Sequence, residues 1–166
     1  YTNEEEIISR CRKMLEEGAA IIDIGAQSSR PEAQVVSIEQ ELVKLLPIIK
    51  LLKSRFPKLI LSVDTYWSEV AKQCVKAGAD IINDISAGEL DEKMVDTIAE
   101  LKVPYIIMHM QGTPSNMQEN PTYTNVTTEI ISYFQQKIKQ LQVKGIHDII
   151  IDPGFGFGKT LAHNYQ

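Results

Sequence analysis

Short apolar runs alternate along this chain with longer stretches in which apolar residues recur every three or four positions, the patterns of buried strands and of amphipathic helices. Thr2 followed by Glu5 predicts a capping box, and Ile7, Ile8, Cys11, Met14 and Leu15 keep helical spacing up to a stop at Gly18. The run 20–25 reads as a first strand, and the polar loop 26–33 behind it hinges on Pro31. Ser37 with Gln40 opens a second helix to about Phe56, in which Pro47 predicts a kink. A second strand is expected over 59–65, followed by a helix from Ser68 to Ala77 closed by Gly78. A third strand is expected over 80–85, and Asp91 is expected to cap a helix reaching about Leu101. Behind Pro104 comes a fourth strand, Tyr105 to Met110, then a long loop carrying Gly112, Pro114 and Pro121. Asn125 starts the longest helix, which ends near Val143 with Gly145 as its stop. The last apolar run ends on Asp152 and leads through a glycine-rich turn into a helix at Thr160.

Strict strand-helix alternation with continuous apolar strands predicts a parallel sheet covered by helices, its first strand buried on both faces. A short internal repeat supports this reading, since residues 18–23 and 78–83 both run glycine, alanine, strand and polar tip. The strands end on Asp23, Asp64, the pair Asn83 and Asp84, His109, and Asp152. In a parallel α/β architecture these tips share the face where ligands bind. Each also has a purely structural reading. Asp23 can tie down a turn, Asp64 can cap the following helix, and His109 can be a satisfied core histidine. Neighbouring strand residues point to opposite faces, so at most one of Asn83 and Asp84 faces a ligand, and the repeat with Asp23 selects Asn83.

Charge and cysteine usage narrow the partners. Seventeen basic against 22 acidic residues give a net charge of −5, which argues against nucleic acid or an anionic membrane. No apolar run approaches the roughly 20 residues of a membrane helix, and the first residues lack a signal-peptide pattern, so the cytoplasm is the expected compartment. Cys11 and Cys74 are unclustered and expected to be reduced, partly buried thiols. The glycosylation sequon at Asn125 is discounted for want of a secretion signal.

The glycine-rich turn fails both nucleotide motifs. A phosphate-binding P-loop needs glycine where Pro153 stands, and the third glycine of the dinucleotide fingerprint falls at Lys159. Lys159 is expected near an anion or simply solvated, and Phe155 and Phe157 have little chain around them to bury against. Asp64, Asn83 and Asp152 are expected to converge as an acceptor-rich set with one amide donor. Such a set suits a heterocycle with an amidine-like edge, which one carboxylate can hold through two parallel hydrogen bonds. A pterin has that edge.

With these residues in view, the chain resembles the dihydropteroate synthases of folate biosynthesis. The matching stretches are 22–31, 62–66, 81–85, Met108-His-Met-Gln-Gly112 and Asp152-Pro-Gly-Phe-Gly-Phe-Gly-Lys159, in the family's order along the whole chain. The resemblance implies a (β/α)8 TIM-barrel fold and a condensation of 6-hydroxymethyl-7,8-dihydropterin diphosphate with 4-aminobenzoate, with Mg2+ as cofactor and a homodimeric enzyme. It implies that Asp64, Asn83 and Asp152 are catalytic and hold the pterin together with Ile85, Met110 and Gly156. It assigns Ser28, Ser29, Arg30 and Pro31 to a loop closing over the aminobenzoate, Phe157 to the neighbourhood of that ring, and Asp23 to support from beneath. The first loop departs from the family pattern, with Glu32 standing where the family has glycine.

The family's first strand and last two strands have no counterpart, and with them go the metal-linked asparagine, the lysine on the pterin, and the arginine and histidine on the diphosphate. No residue of this chain is therefore expected to bind the metal. Five strands, matching the family's second to sixth, predict an incomplete barrel in one domain. Its edges invite self-association, and the chain alone is expected to be inactive. Two alternatives stay open: a related methyltetrahydrofolate-binding corrinoid methyltransferase domain, and a non-catalytic pterin-binding fragment.

Overall fold

The computed structural model describes residues 3–27, 36–113 and 116–166. Along the chain run α1 (Glu4–Glu16), β1 (Ile21–Gly25), α2 (Ile38–Arg55), β2 (Ile60–Asp64), α3 (Ser68–Ala77) and β3 (Ile81–Asp84). There follow α4 (Met94–Leu101), β4 (Tyr105–Met108), α5 (Val126–Val143), β5 (Ile149–Asp152) and the short α6 (Leu161–Asn164). All five strands pair in parallel in the order β1-β2-β3-β4-β5. Each strand lies beside its predecessor, the winding of a barrel and not of an open sheet whose order reverses at a switch point. Among the described residues β1 and β5 do not pair, so the sheet is an arc with two outer strands.

The register sorts the strand residues into two faces, because partners across a ladder point the same way and neighbours along a strand point oppositely. Ile22, Leu61, Val63, Ile82, Tyr105 and Ile107 point to the face covered by helices. There they pack with Leu45, Ile49 and Leu52 of α2, Val70 and Cys74 of α3, and Met94 and Ile98 of α4. Each such side chain removed from water contributes about 1.5–3 kcal/mol, so this layer holds the fold. The other face carries Ile21, Asp23, Ile60, Asp64, Asn83, Ile106, Ile150 and Asp152, together with the buried Ser62, Ile81 and Met108. Ile21 is 40% exposed, so β1 is not buried on both faces as expected, because no layer covers its second side.

Local signals account for most element ends. The Ser37 hydroxyl accepts from the Gln40 amide at 3.3 Å and the Gln40 side chain accepts from the Ser37 amide at 3.1 Å, closing a capping box on α2, which runs unbroken through Pro47. The expected box at Thr2 falls outside the described residues. The cap of α1 is Asn3, whose side chain accepts from the Glu6 amide at 2.8 Å. Asp91 accepts at the entry to α4 as expected, its Oδ1 from the Lys93 amide at 2.9 Å, and its Oδ2 accepts in addition from the Ser68 amide at 2.8 Å, at the start of α3. That makes Asp91 the cap of α3 and removes the N-cap reading of Asp64. The fourth strand ends at Met108, two residues short of expectation, as the chain turns toward the glycine-rich loop.

Candidate functional site

The bare face of the sheet gathers the polar strand tips. Gly25, Asp64, Asn83, Ile106 and Ile150 form one register row; Asp23 lies two residues earlier on β1 and Asp152 two residues later on β5. The Asn83 Nδ2 donates to Asp23 Oδ2 at 3.3 Å, leaving its carbonyl oxygen as an acceptor. Asp84, pointing the other way, is fully buried and accepts from Tyr105 Oη at 2.6 Å, from the Ser86 amide and hydroxyl, and from the Gly88 amide. Alternation thus sends Asn83 to the site and Asp84 to the core. Asp152 shares the face of Asn83 but stands two strands away, about 10 Å at ordinary strand spacing. Asp64, Asn83 and Asp152 border one surface.

Among the tips on this face, Asp64 has a carboxyl held well above its ordinary range. Burial raises it first, then the charges of Asp23, Glu41 and Asp84, and it is pushed up to about 7. Among the described residues neither of its oxygens carries a hydrogen bond. Gly25 lies alongside on β1, where an added Cβ would stand 3.1 Å from the Asp64 Cβ. Behind β2, Glu41 of α2 is fully buried. Its Oε2 accepts from the Thr65 hydroxyl at 3.0 Å, while its Oε1 has no partner. Burial raises its carboxyl above the ordinary range, and the Thr65 bond and Lys44 pull it partly back.

An apolar floor lies beyond the strand ends. Tyr66, Ile85 and Met108 are buried together, and Trp67, Met110 and Phe157 pack against them. The Tyr66 and Trp67 rings sit 4.9 Å apart in a tilted pair. Ile85, Met110 and Phe157 were expected in the site, and the structure brings them into this one cluster. Phe155, by contrast, is 66% exposed.

The glycine-rich loop is seated on the chain leaving β4. A Cβ at Gly154 would collide with the His109 carbonyl oxygen, and one at Gly158 would fall 2.7 Å from the Gln111 oxygen and 2.8 Å from its nitrogen. Only glycine permits this approach. Asp152 Oδ1 accepts from the Gly154 amide at 2.8 Å, and Tyr123 Oη donates to the Gly158 carbonyl at 2.7 Å. Gly156 faces open space; its amide donates to Asn164 Oδ1 at 2.8 Å and its carbonyl accepts from Gln118.

Lys159 overturns its expectation. It is 4% exposed, neither solvated nor at an open anion site. Its Nζ lies 2.9 Å from the carbonyl oxygens of Gly154 and Phe157, 3.2 Å from that of His109 and 3.1 Å from His109 Nδ1. Burial lowers the ammonium to about 8, with Asp152 opposing. Burial and then Lys159 lower His109 to about 4, which makes it the neutral core histidine of the structural reading.

Ser28, Ser29, Arg30 and Pro31 lie outside the described residues. Flanking that segment, Gln27 Oε1 accepts from the Val36 amide at 2.7 Å. Four residues at or behind the site escaped the sequence reading: Glu41, Tyr66, Trp67 and the buried role of Lys159. Only Tyr66 and Trp67 had a visible signal, an aromatic pair directly behind a strand-tip carboxylate. No three His, Cys, Asp or Glu side chains among the described residues are placed to hold a metal ion. No helix there is long and apolar enough to cross a membrane.

A family model described as pterin binding enzyme matches residues 1–166. The chain belongs to the pterin-binding enzyme family. It is 46% identical to the mitochondrial folate synthesis bifunctional protein of Pisum sativum, over 99% of this chain and 33% of that protein. It is 42% identical to the dihydropteroate synthase of Escherichia coli K12, over 97% of this chain and 57% of that one. A Yersinia pestis dihydropteroate synthase solved with a sulfonamide drug superposes with a TM-score of 0.94 at 40% identity, covering 99% of this chain and 60% of that one. A Xanthomonas albilineans dihydropteroate synthase solved with 4-aminobenzoic acid gives 0.89 at 38% identity, covering 99% and 58%. The chain therefore spans about a third to three fifths of the length of these relatives. The pterin-binding family's barrel accounts for the sequential strand order, and this chain forms an incomplete part of it.

Proposed function

We propose that this chain supplies the pterin-holding wall of a dihydropteroate synthase. One observation carries the reading: Asp64, half-buried and next to Asn83 on the sheet face that also carries Asp23, has two unpartnered oxygens, and its strand runs on to Tyr66, which packs with Ile85, Met108, Met110 and Phe157. A carboxylate so placed can take a ring N–H and an exocyclic amine together, while the apolar floor receives the flat ring. Asp152, three strands and about 14 Å along the same face, reaches the ring's far side, and Asn83 presents its carbonyl between them. The names of the relatives favour this reading over the corrinoid methyltransferase.

In the proposed reaction the electron-rich pterin expels pyrophosphate as its methylene carbon–oxygen bond breaks. The amine of 4-aminobenzoate then forms the carbon–nitrogen bond and loses a proton. Asp64, Asn83, Asp152 and Gly156 hold the ring and steady its positive charge, so positioning and electrostatics do the work. Ser28, Ser29, Arg30, Pro31 and Phe157 serve the second substrate, and Asp23 orients Asn83. No three His, Cys, Asp or Glu side chains gather among the described residues, so any Mg2+ would be held chiefly by the substrate's diphosphate, and no step here runs through it. A reducing compartment such as the cytoplasm suits the buried free thiols Cys11 and Cys74. Self-association through the unpaired edges of β1 and β5 belongs to the same proposal, with sedimentation above the monomer mass as its mark.

Calorimetric titration of the 166-residue chain with 6-hydroxymethyl-7,8-dihydropterin diphosphate tests the site. Saturable binding is expected, weakened about 100-fold in Asp152→Ala, the cost of a lost charge-assisted hydrogen bond. Unchanged affinity in that variant removes Asp152 from the site. Binding without turnover would mean that this part holds the pterin but does not complete the enzyme.

A further inference from the structure

We propose that Lys159 is a positioning residue, an internal cationic strut that fixes the 153–158 loop against the end of β4 and so aims Gly156 and Phe157 at the ligand surface. The aim toward a ligand rests on the pterin reading; the strut itself does not.

Its chemistry sets Lys159 apart from an ordinary buried lysine. Two of its acceptors, the Gly154 and Phe157 carbonyls, belong to the loop, and the other two, the His109 carbonyl and Nδ1, belong to the chain leaving β4. One ammonium therefore joins two segments that share no strand ladder there. Three N–H groups serve four acceptors, so one proton is shared. A charged ammonium has only donors, which makes His109 Nδ1 an acceptor and puts that ring's proton on Nε2. The rings of Tyr133 and Tyr123, with centroids 5.0 Å and 6.1 Å from that of His109, hold the imidazole in place.

The two glycines make the strut necessary. Gly154 and Gly158 let loop and β4 exit approach within van der Waals distance, but that approach turns the His109, Gly154 and Phe157 carbonyl dipoles toward one point. Converging carbonyls in a buried space repel unless a cation sits among them. Phe157, whose carbonyl the ammonium holds, is the loop residue that packs against the Tyr66, Ile85 and Met108 floor. The same ammonium also keeps a positive charge in the wall beside Asp152.

The test begins with the unmutated chain. Nitrogen-15 NMR should find His109 in the Nε2–H form with Nδ1 accepting, and Lys159 ammonium protons exchanging at least about tenfold more slowly than those of exposed lysines. Exchange as fast as that of the exposed lysines overturns the strut without any variant. Lys159→Met keeps the length of the side chain and removes its donors and charge. With 4-fluorophenylalanine at Phe157, this variant should lose the His109 Nδ1 signature and shift the fluorine signal toward that of exposed Phe155. A folded Lys159→Met protein with both signals unchanged overturns the proposal, because mere packing by the lysine stem would give that result. If the variant does not fold, the exchange measurement on the unmutated chain decides. Titration of both proteins with the pterin diphosphate separates the two readings. Affinity about tenfold weaker in Lys159→Met supports a strut that serves the site, and equal affinity overturns that service. If the unmutated chain binds no pterin, the functional reading falls while the NMR results still judge the strut.

Discussion

On β2, β3 and β4 the helix-covered face of the sheet is buried, while the opposite face, buried at Ser62, Ile81 and Met108, is open or partly open elsewhere. Leu61, Val63, Ile82, Tyr105 and Ile107 are fully buried beneath helices, whereas Ile60 on the opposite face is 45% exposed and Ile150 of β5 is 43% exposed. The covered face is made of shape and volume, and its residues could be exchanged for others of like size. The bare face is made of placement: an aspartate with free oxygens, an asparagine tied to a neighbour, a carboxylate holding a turn. Isoleucine serves both faces, so residue type alone does not tell them apart. The covered face supplies the stiffness that the bare face needs in order to hold polar groups unpaired.

Truncation should break the symmetry between the faces most sharply. Ile82→Ala, under α3 and α4, should lose about 4 kcal/mol in urea denaturation, and Ile60→Ala less than about 1 kcal/mol. Equal losses would mean that the bare face is covered in solution. The next effect is electrostatic. Asp64, raised to about 7, carries a folded-state pKa above its unfolded value of 3.8. Below about pH 4 it is protonated in both states and has no effect on stability. As pH rises toward 7 the unfolded chain ionises first and stability falls, by about 3 kcal/mol after allowance for partial solvent screening. Asp64→Asn should flatten that decline, measured as melting temperature between pH 4 and 8; a decline of equal depth would free Asp64 of the charge.

At the rim of the bare face the glycine loop gives a smaller contrast. Gly154→Ala meets the His109 carbonyl and a left-handed backbone, and should cost about 2–3 kcal/mol. Gly156→Ala meets only the backbone term, about 1 kcal/mol, and thermal melts of the pair should separate them. The smallest effect crosses the sheet. Glu41→Gln removes a charge behind Asp64 and should lower the Asp64 midpoint by less than one pH unit in a carboxyl-carbon NMR titration, because burial is the larger cause.

The periodicity of the chain carried the element order, the parallel pairing and the choice of Asn83 over Asp84, since strand alternation and helical spacing are local properties. Caps were legible where donor and acceptor lie three residues apart, as at Ser37 and Asn125. The second bond of Asp91 was not legible, since it reaches from the β3–α4 connection to α3. Lys159 was misread for a related reason. Its acceptors lie both two residues before it and on the far side of a loop that only tertiary packing brings near. Glu41 looked like one more acid in a helix's first turn, and nothing local marks it as buried against Thr65.

Gln111 and Thr122 exchange two bonds of 2.9 Å, the Gln111 amide donating to the Thr122 carbonyl and the Thr122 amide to Gln111 Oε1. This reciprocal clasp ties Gln111 to Thr122, and between them Met117 is buried and Gln118 donates to the Gly156 carbonyl. Closure entropy grows only logarithmically, by about 0.6 kcal/mol for each doubling of length. A label or insertion beside the clasp that leaves Met117 and Gln118 in place should therefore spare Met108 and His109.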